Sequence, residues 1–312
     1  MTAQHVFSSF LVSPKELSEA LKQHQHPTNP ATQRIIPLCG AWFLPTDSRK
    51  GIDSFKSKHI PNARFFDLDK VADPNTPLPN MLPSASDFAA AMSDLGIRPA
   101  DVVVVYDSHE LGIFSAPRVA WTFQVFGHRN VHVLNNFRLW VDGGYPTESG
   151  DWESVSASIY PVPIKDESKI ISFEELKDHF LSVGAEIHSR WQVLDTRPAG
   201  RWGGKDPEPR PELASGHMPS SINVSLAEVL DLETRAFLSG PELQALFKGK
   251  GVNPQQPIIT SCMSGITAAV LSVALQVASY GDENNRKLYD GSWREWGERA
   301  IPYDGLIVRD GL

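Results

Sequence analysis

Two hydrophobic patterns alternate along the chain. Val102-Val103-Val104-Val105-Tyr106 and Pro257-Ile258-Ile259-Thr260 are short, unbroken apolar runs rich in β-branched residues. Runs of this length predict strands covered on both faces, as in parallel sheets. Other stretches have a helical character: Ser86-Asp87-Phe88-Ala89-Ala90-Ala91-Met92, Pro241-Glu242-Leu243-Gln244-Ala245-Leu246-Phe247 and Val270-Leu271-Ser272-Val273-Ala274-Leu275. Ser13-Pro14-Lys15-Glu16, Ser172-Phe173-Glu174-Glu175 and Ser239-Gly240-Pro241-Glu242 read as capping boxes. In each, a serine starts a helix and the glutamate three positions later closes the cap. Strands alternating with helices predict an α/β fold with mostly parallel sheets flanked by helices. In such sheets functional residues gather at the carboxyl ends of strands. Asp107 and Cys262 are both placed there.

The pattern occurs twice. The first half carries Lys58-His59-Ile60-Pro61, then Val102 to Asp107, then Val133 to Trp140. The second carries Gly216-His217-Met218-Pro219, then Ile258 to Cys262, then Tyr289 to Trp296. His59 to Asp107 spans 48 positions (107 − 59), and His217 to Cys262 spans 45 (262 − 217). Asp107 to Trp140 spans 33, and Cys262 to Trp296 spans 34. Three landmarks in one order at matching distances predict two copies of one domain. The stretch 149–166 is polar and broken by Gly and Pro. It reads as a linker between domains 1–148 and 167–312.

Bulk properties narrow the function. A chain of 312 residues is long for one core. A net charge of −8 argues against a dedicated nucleic-acid binder. No apolar run is long enough to span a membrane. The first residues lack the basic start and long apolar region of a secretory signal. The cytoplasm is the expected location, with the mitochondrion as the alternative. Cys39 and Cys262 are the two cysteines. They supply neither a disulfide framework nor a zinc site, and fit a free thiol in a reducing compartment. No cofactor is called for.

Cys262 has the context of a reactive thiol. A strand leads into Ser261-Cys262-Met263-Ser264-Gly265, and a helix begins beyond at Ile266-Thr267. Loop N–H groups and a helix N-terminus both hold an anionic sulfur. Gly265 suits a close backbone approach or a positive φ. A cysteine phosphatase uses a similar loop but needs Arg six positions after the nucleophile, where this chain has Ala268.

The chain resembles the tandem rhodanese family of thiosulfate and 3-mercaptopyruvate sulfurtransferases. The likeness runs from about Trp42-Phe43-Leu44-Pro45 to Trp296. It rests on His59-Ile60-Pro61 with Phe65-Phe66-Asp67, on Ser115-Ala116-Pro117-Arg118-Val119, and on Phe126-Gly127-His128-Arg129. Gly200-Arg201-Trp202, Glu208-Pro209-Arg210, Gly216-His217-Met218-Pro219 and Tyr289-Asp290-Gly291-Ser292-Trp293 complete it.

The resemblance implies two tandem rhodanese-like domains, the first without catalysis because Asp107 stands where Cys262 stands in the second. It implies a ping-pong reaction in which Cys262 takes a sulfane sulfur as a persulfide and passes it on. Arg201 and Arg210 match the arginines that grip the substrate carboxylate. The small-Ser-Gly loop of mercaptopyruvate-preferring members is closer to Met263-Ser264-Gly265 than the basic loop of thiosulfate-preferring ones. Met263, Gly265, Ile266 and Thr267 are expected to line the donor. Ser264 is expected to work with His59 in a relay whose acid, Asp53 or Asp47, stays open. Asp195 is expected to bond the active loop or its flanking backbone, and Trp293 either to wall the pocket or to pack in the core. The partners implied are a small-molecule sulfur donor and, as acceptor, cyanide, a thiol, thioredoxin or a sulfur-carrier protein. A thiosulfate-preferring enzyme, a sulfur relay feeding tRNA thiolation and a non-catalytic scaffold are the alternatives.

Overall fold

The computed structural model describes residues 6–24, 33–152, 155–182, 191–301 and 303–310. The chain divides into two compact units. Unit 1 holds Met1–Asp73, Leu82–Lys165 and Leu232–Ala236; unit 2 holds Pro74–Met81, Asp166–Asp231 and Phe237–Leu312. Each unit therefore contains a short segment that contiguous domains 1–148 and 167–312 would assign elsewhere. Within the expected linker, positions 153–154 lie outside the described residues.

Unit 1 runs β1 (Leu11–Val12), α1 (Pro14–His24), β2 (Ile35–Cys39), α2 (Gly51–Ser57), β3 (Arg64–Phe65), α3 (Leu68–Val71), α4 (Ala85–Asp94), β4 (Val102–Tyr106), α5 (Ala116–Val125), β5 (Val131–Leu134) and α6 (Phe137–Asp142). Unit 2 runs β6 (Ile170–Ile171), α7 (Phe173–Ser182), β7 (Gln192–Asp195), α8 (Ala199–Trp202), β8 (Ile222–Asn223), α9 (Gly240–Gly249), β9 (Ile258–Ser261), α10 (Ile266–Val277), β10 (Arg286–Tyr289) and α11 (Ser292–Arg299).

Each unit carries a five-stranded sheet whose recorded pairings are all parallel. The orders are β1-β5-β4-β2-β3 and β6-β10-β9-β7-β8, so the two sheets match strand for strand. The central strands β4 and β9 are buried along their whole length, which explains their unbroken apolar sequences. In the second sheet Asp195 of β7 pairs with Ser261 of β9, and Leu288 of β10 pairs with Thr260. The carboxyl ends of β7, β9 and β10 thus lie side by side. The fully buried side chains of Trp293 and Trp296, with Phe173, Leu176 and Tyr289, form a core cluster of this unit. Among the described residues, no helix is long and apolar enough to cross a membrane.

Candidate active site

β9 ends at Ser261, and the next residue is Cys262, buried at 2% exposure. Four positions later α10 begins. The turn is made at Gly265, which caps the helix in the left-handed region at φ 78°. A side chain there would be strained, and glycine is not. The start of α11 fastens this loop. Ser292, with φ 49° and no exposure, accepts from the amides of Cys262 at 3.1 Å and Gly265 at 3.2 Å. The same hydroxyl donates to Tyr289 O at 2.8 Å and lies 3.9 Å from Cys262 Sγ. Trp293 N donates to Cys262 O at 2.9 Å and Arg294 N to Met263 O at 2.8 Å. These first-turn amides of α11 have no partner inside their own helix, so the loop carbonyls satisfy them. Among the described residues, nothing accepts from the amides of Met263, Ser264 or Ile266. With the N-terminus of the 12-residue α10, they are donors for an anionic sulfur.

Further polar groups fix the loop's surroundings. Thr267 Oγ1 lies 2.6 Å from Thr196 Oγ1, at the end of β7. Asn80, in the Pro74–Met81 segment of the same unit, donates from Nδ2 to Ser264 Oγ at 3.3 Å. Below them Arg197 is buried, bonded to Asp195 at 2.8 Å and Glu208 at 2.8 Å, with its guanidinium 4.0 Å from the Trp293 ring centroid. Burial pushes the Glu208 carboxyl above its ordinary range, against the pull of Arg197 and Arg201. Arg201 Nη1 sits 4.0 Å from Glu208 Oε2 and remains 26% exposed, while Arg210 is 56% exposed beside Glu212. A chain of contacts therefore runs from Cys262 through Trp293, Arg197 and Glu208 to Arg201.

Unit 1 repeats the strand end with a different occupant. Asp107 follows β4, and its carboxylate accepts from the amides of Phe114, Ser115 and Ala116 at 2.8–3.0 Å, and from Ser115 Oγ. The donors at the N-terminus of α5 are thus taken by a carboxylate from the protein itself. Burial pushes the Asp107 carboxyl up to about 6 despite these bonds.

Comparisons with known proteins place the chain in a family. The rhodanese-like domain model matches residues 175–299. The 3-mercaptopyruvate sulfurtransferase of Rattus norvegicus is 37% identical over 303 residues, covering 97% of this chain and 96% of the relative. The chain belongs to the rhodanese family. Thiosulfate sulfurtransferase TUM1 of Saccharomyces cerevisiae is 33% identical, covering 94% of this chain and 96% of the relative. The crystal structure of Tum1 from the same yeast aligns at a TM-score of 0.84 with 31% identity, covering 96% of this chain and 98% of that one.

Set in the rhodanese fold, the residues expected from sequence divide clearly. Cys262, Met263, Ser264, Gly265, Ile266 and Thr267 share one loop and helix start; Arg201 and Arg210 lie in the same unit. His59 lies in unit 1. Its ring stacks on Phe55 at 4.1 Å and its Nδ1 is 2.9 Å from Phe55 O. His217 repeats this: its ring stacks on Trp202 at 3.9 Å and its Nδ1 is 2.9 Å from Trp202 O. Both histidines also form an isolated antiparallel bridge, with Glu148 and Val308. The pair has one shared packing role in the two copies, which is a reason against the His59 relay. Asp47 is occupied by Arg49 at 2.6 Å, and the carboxylate near His59 is Glu148 at 3.8 Å. Asp195 pairs along the sheet with Ser261, which flanks the active loop, while its side chain grips Arg197. Met263 is half-buried and packs against the unit's core cluster. Trp293 is fully buried, with Nε1 donating to Ala214 O, so it is a core residue. Cys39 is buried in the core of unit 1, where desolvation pushes its thiol far up.

Ser292, Asn80 and Thr196 were not anticipated as site residues. Ser292 stands inside the motif Tyr289-Asp290-Gly291-Ser292-Trp293, but its loop partners Cys262 and Gly265 are 30 and 27 positions away. Asn80 has no local signal, since Ser264 lies 184 positions on.

Proposed function

We propose that this sulfurtransferase takes a sulfane sulfur from 3-mercaptopyruvate onto Cys262 and passes it to a thiol, cyanide or a sulfur-carrier protein. The fastened loop around Cys262, with its unclaimed amides, carries the reading. The thiolate attacks the donor sulfur. The new S–S bond forms as the donor's C–S bond breaks, and the electron pair goes to carbon 3. The pyruvate enolate so formed takes a proton at that carbon from water, leaving pyruvate and a Cys262 persulfide. With thiosulfate, the donor's S–S bond breaks and sulfite leaves with the pair, needing no proton. An acceptor thiolate then removes the outer sulfur and returns Cys262. Arg201 and Arg210 would hold the keto-acid carboxylate by charge-assisted bonds, with Glu208 steadying Arg201.

The test is steady-state sulfur transfer with both donors, on wild type and Cys262→Ser, with mass detection of the persulfide. A 32-dalton adduct on Cys262 and a preference for mercaptopyruvate, both lost in the variant, support the proposal. Preference for thiosulfate reassigns the donor, and transfer surviving in Cys262→Ser defeats the reading.

A further inference from the structure

Ser264 is the polar side chain of the loop that follows the nucleophile, and its hydroxyl meets Asn80. Asn80 belongs to the Pro74–Met81 segment of the catalytic unit, is 4% exposed and sits in the left-handed region at φ 62°. That conformation is one asparagine tolerates far better than most residues. Its Nδ2 donates to Ser264 Oγ. A serine hydroxyl has one proton and two acceptor lone pairs. With one lone pair taken by Asn80, the Ser264 proton is directed elsewhere. A carboxamide neither accepts a proton nor titrates in water, so Asn80 itself offers this hydroxyl neither acid nor base.

We propose that Asn80 is a positioning residue that sets donor specificity, holding Ser264 as a fixed, neutral hydrogen-bond donor with no proton supply behind it. The proposal rests on the sulfur-transfer reading above. Its consequence depends on the leaving group. Sulfite departs complete, and a neutral hydrogen bond is all it can use. The pyruvate enolate departs short of a proton at carbon 3. Ser264 can stabilise its oxygen, while the carbon takes its proton from water. Sulfur transfer from a keto-acid thiol is therefore limited by protonation at this site, and transfer from thiosulfate is not. The titratable and charged groups on the elements around the loop are Cys262 itself, Tyr289 and Asp290 before α11, Arg294, Glu295, Glu298 and Arg299 on α11, Asp195 at the end of β7 and Arg197 beyond it. These groups, and the Arg201 and Arg210 grip on the carboxylate, are the same in wild type and in an Asn80 variant, so the change in donor ratio on substituting Asn80 isolates the Ser264–Asn80 pair.

The experiment compares wild type, Asn80→Ala and Asn80→His with 3-mercaptopyruvate and thiosulfate across pH. Histidine is also tolerated in the left-handed region, so Asn80→His retains the backbone while adding a titrating ring behind Ser264. It should raise kcat for mercaptopyruvate several-fold, leave the thiosulfate kcat within about twofold, and add an ionisation near the ordinary histidine value of about 6.5 to the mercaptopyruvate profile alone. Asn80→Ala should lower kcat for mercaptopyruvate about tenfold with KM little changed, equivalent to about 1.4 kcal/mol of transition-state stabilisation. Equal losses with both donors, together with a lower unfolding midpoint, would show a merely structural asparagine and overturn the proposal. An ionisation in the wild-type mercaptopyruvate profile that is missing with thiosulfate would overturn it as well. Failure of wild type to form the Cys262 persulfide with either donor sinks the sulfur-transfer reading instead, and this inference with it.

Discussion

Ser292 uses all the bonding capacity of a hydroxyl: two lone pairs take the amides of Cys262 and Gly265, and the proton goes to Tyr289 O. Replacing it by alanine leaves two buried amides unpaired, a cost of about 1–3 kcal/mol each. Ser292→Ala should therefore lower the urea midpoint and slow persulfide formation at least tenfold, read by single-turnover mass measurements. An unchanged rate would mean that the loop holds its shape without that hydroxyl. The two cysteines make a second contrast. Cys39 is a core thiol pushed far up by burial, and Cys262 ends a strand beside unclaimed amides. Iodoacetamide should modify Cys262 in the native protein and reach Cys39 only after unfolding, as peptide mapping would reveal. The nucleophile was legible because a strand, a cysteine, a glycine and a helix follow one another in the chain. Ser292 and Asn80 were not, because a hydrogen bond across 30 or 184 positions leaves no periodic trace.

Among the elements, the strand-to-helix turn between β9 and α10 depends on Gly265 at φ 78°. Gly265→Ala should cost about 1 kcal/mol in stability from the left-handed backbone alone. It should cost more in rate than in stability, because the amides after Cys262 move with that turn. Parallel thermal melts and transfer assays check this; a melt shift with no rate loss would separate the turn from the chemistry. The corresponding turn of unit 1 covers nine positions from Asp107 to the start of α5, against four from Cys262 to α10. Strand and helix identities followed from local periodicity. The parallel α/β pattern put Cys262 and Asp107 at carboxyl strand ends, but the order β10-β9-β7 that collects the site was not legible, because strand neighbours are fixed by packing across long stretches of chain. The packing of His59 did not, since a histidine before Ile-Pro reads the same whether its ring stacks on Phe55 or reaches a substrate.

Across the whole molecule, Asp107 ties stability to pH. Its carboxyl is pushed from 3.8 to about 6 by burial, so the folded chain binds this proton more tightly than the unfolded one. Its stabilising contribution is complete below about 3.8 and is lost as pH rises through about 6. A shift of that size corresponds to something on the order of 3 kcal/mol. Urea unfolding of wild type and Asp107→Asn between pH 4 and 7 reads it directly: the stability of wild type relative to the variant should fall as pH rises. A constant difference would mean that the amides of α5 fully offset the burial. The division of the chain has a consequence of another kind. Pro74–Met81 is encoded in the first copy and completes the second unit, while Leu232–Ala236 is encoded in the second and completes the first. A gene break between the copies would strand a piece of each. Neither half, made alone, would carry the whole of its unit.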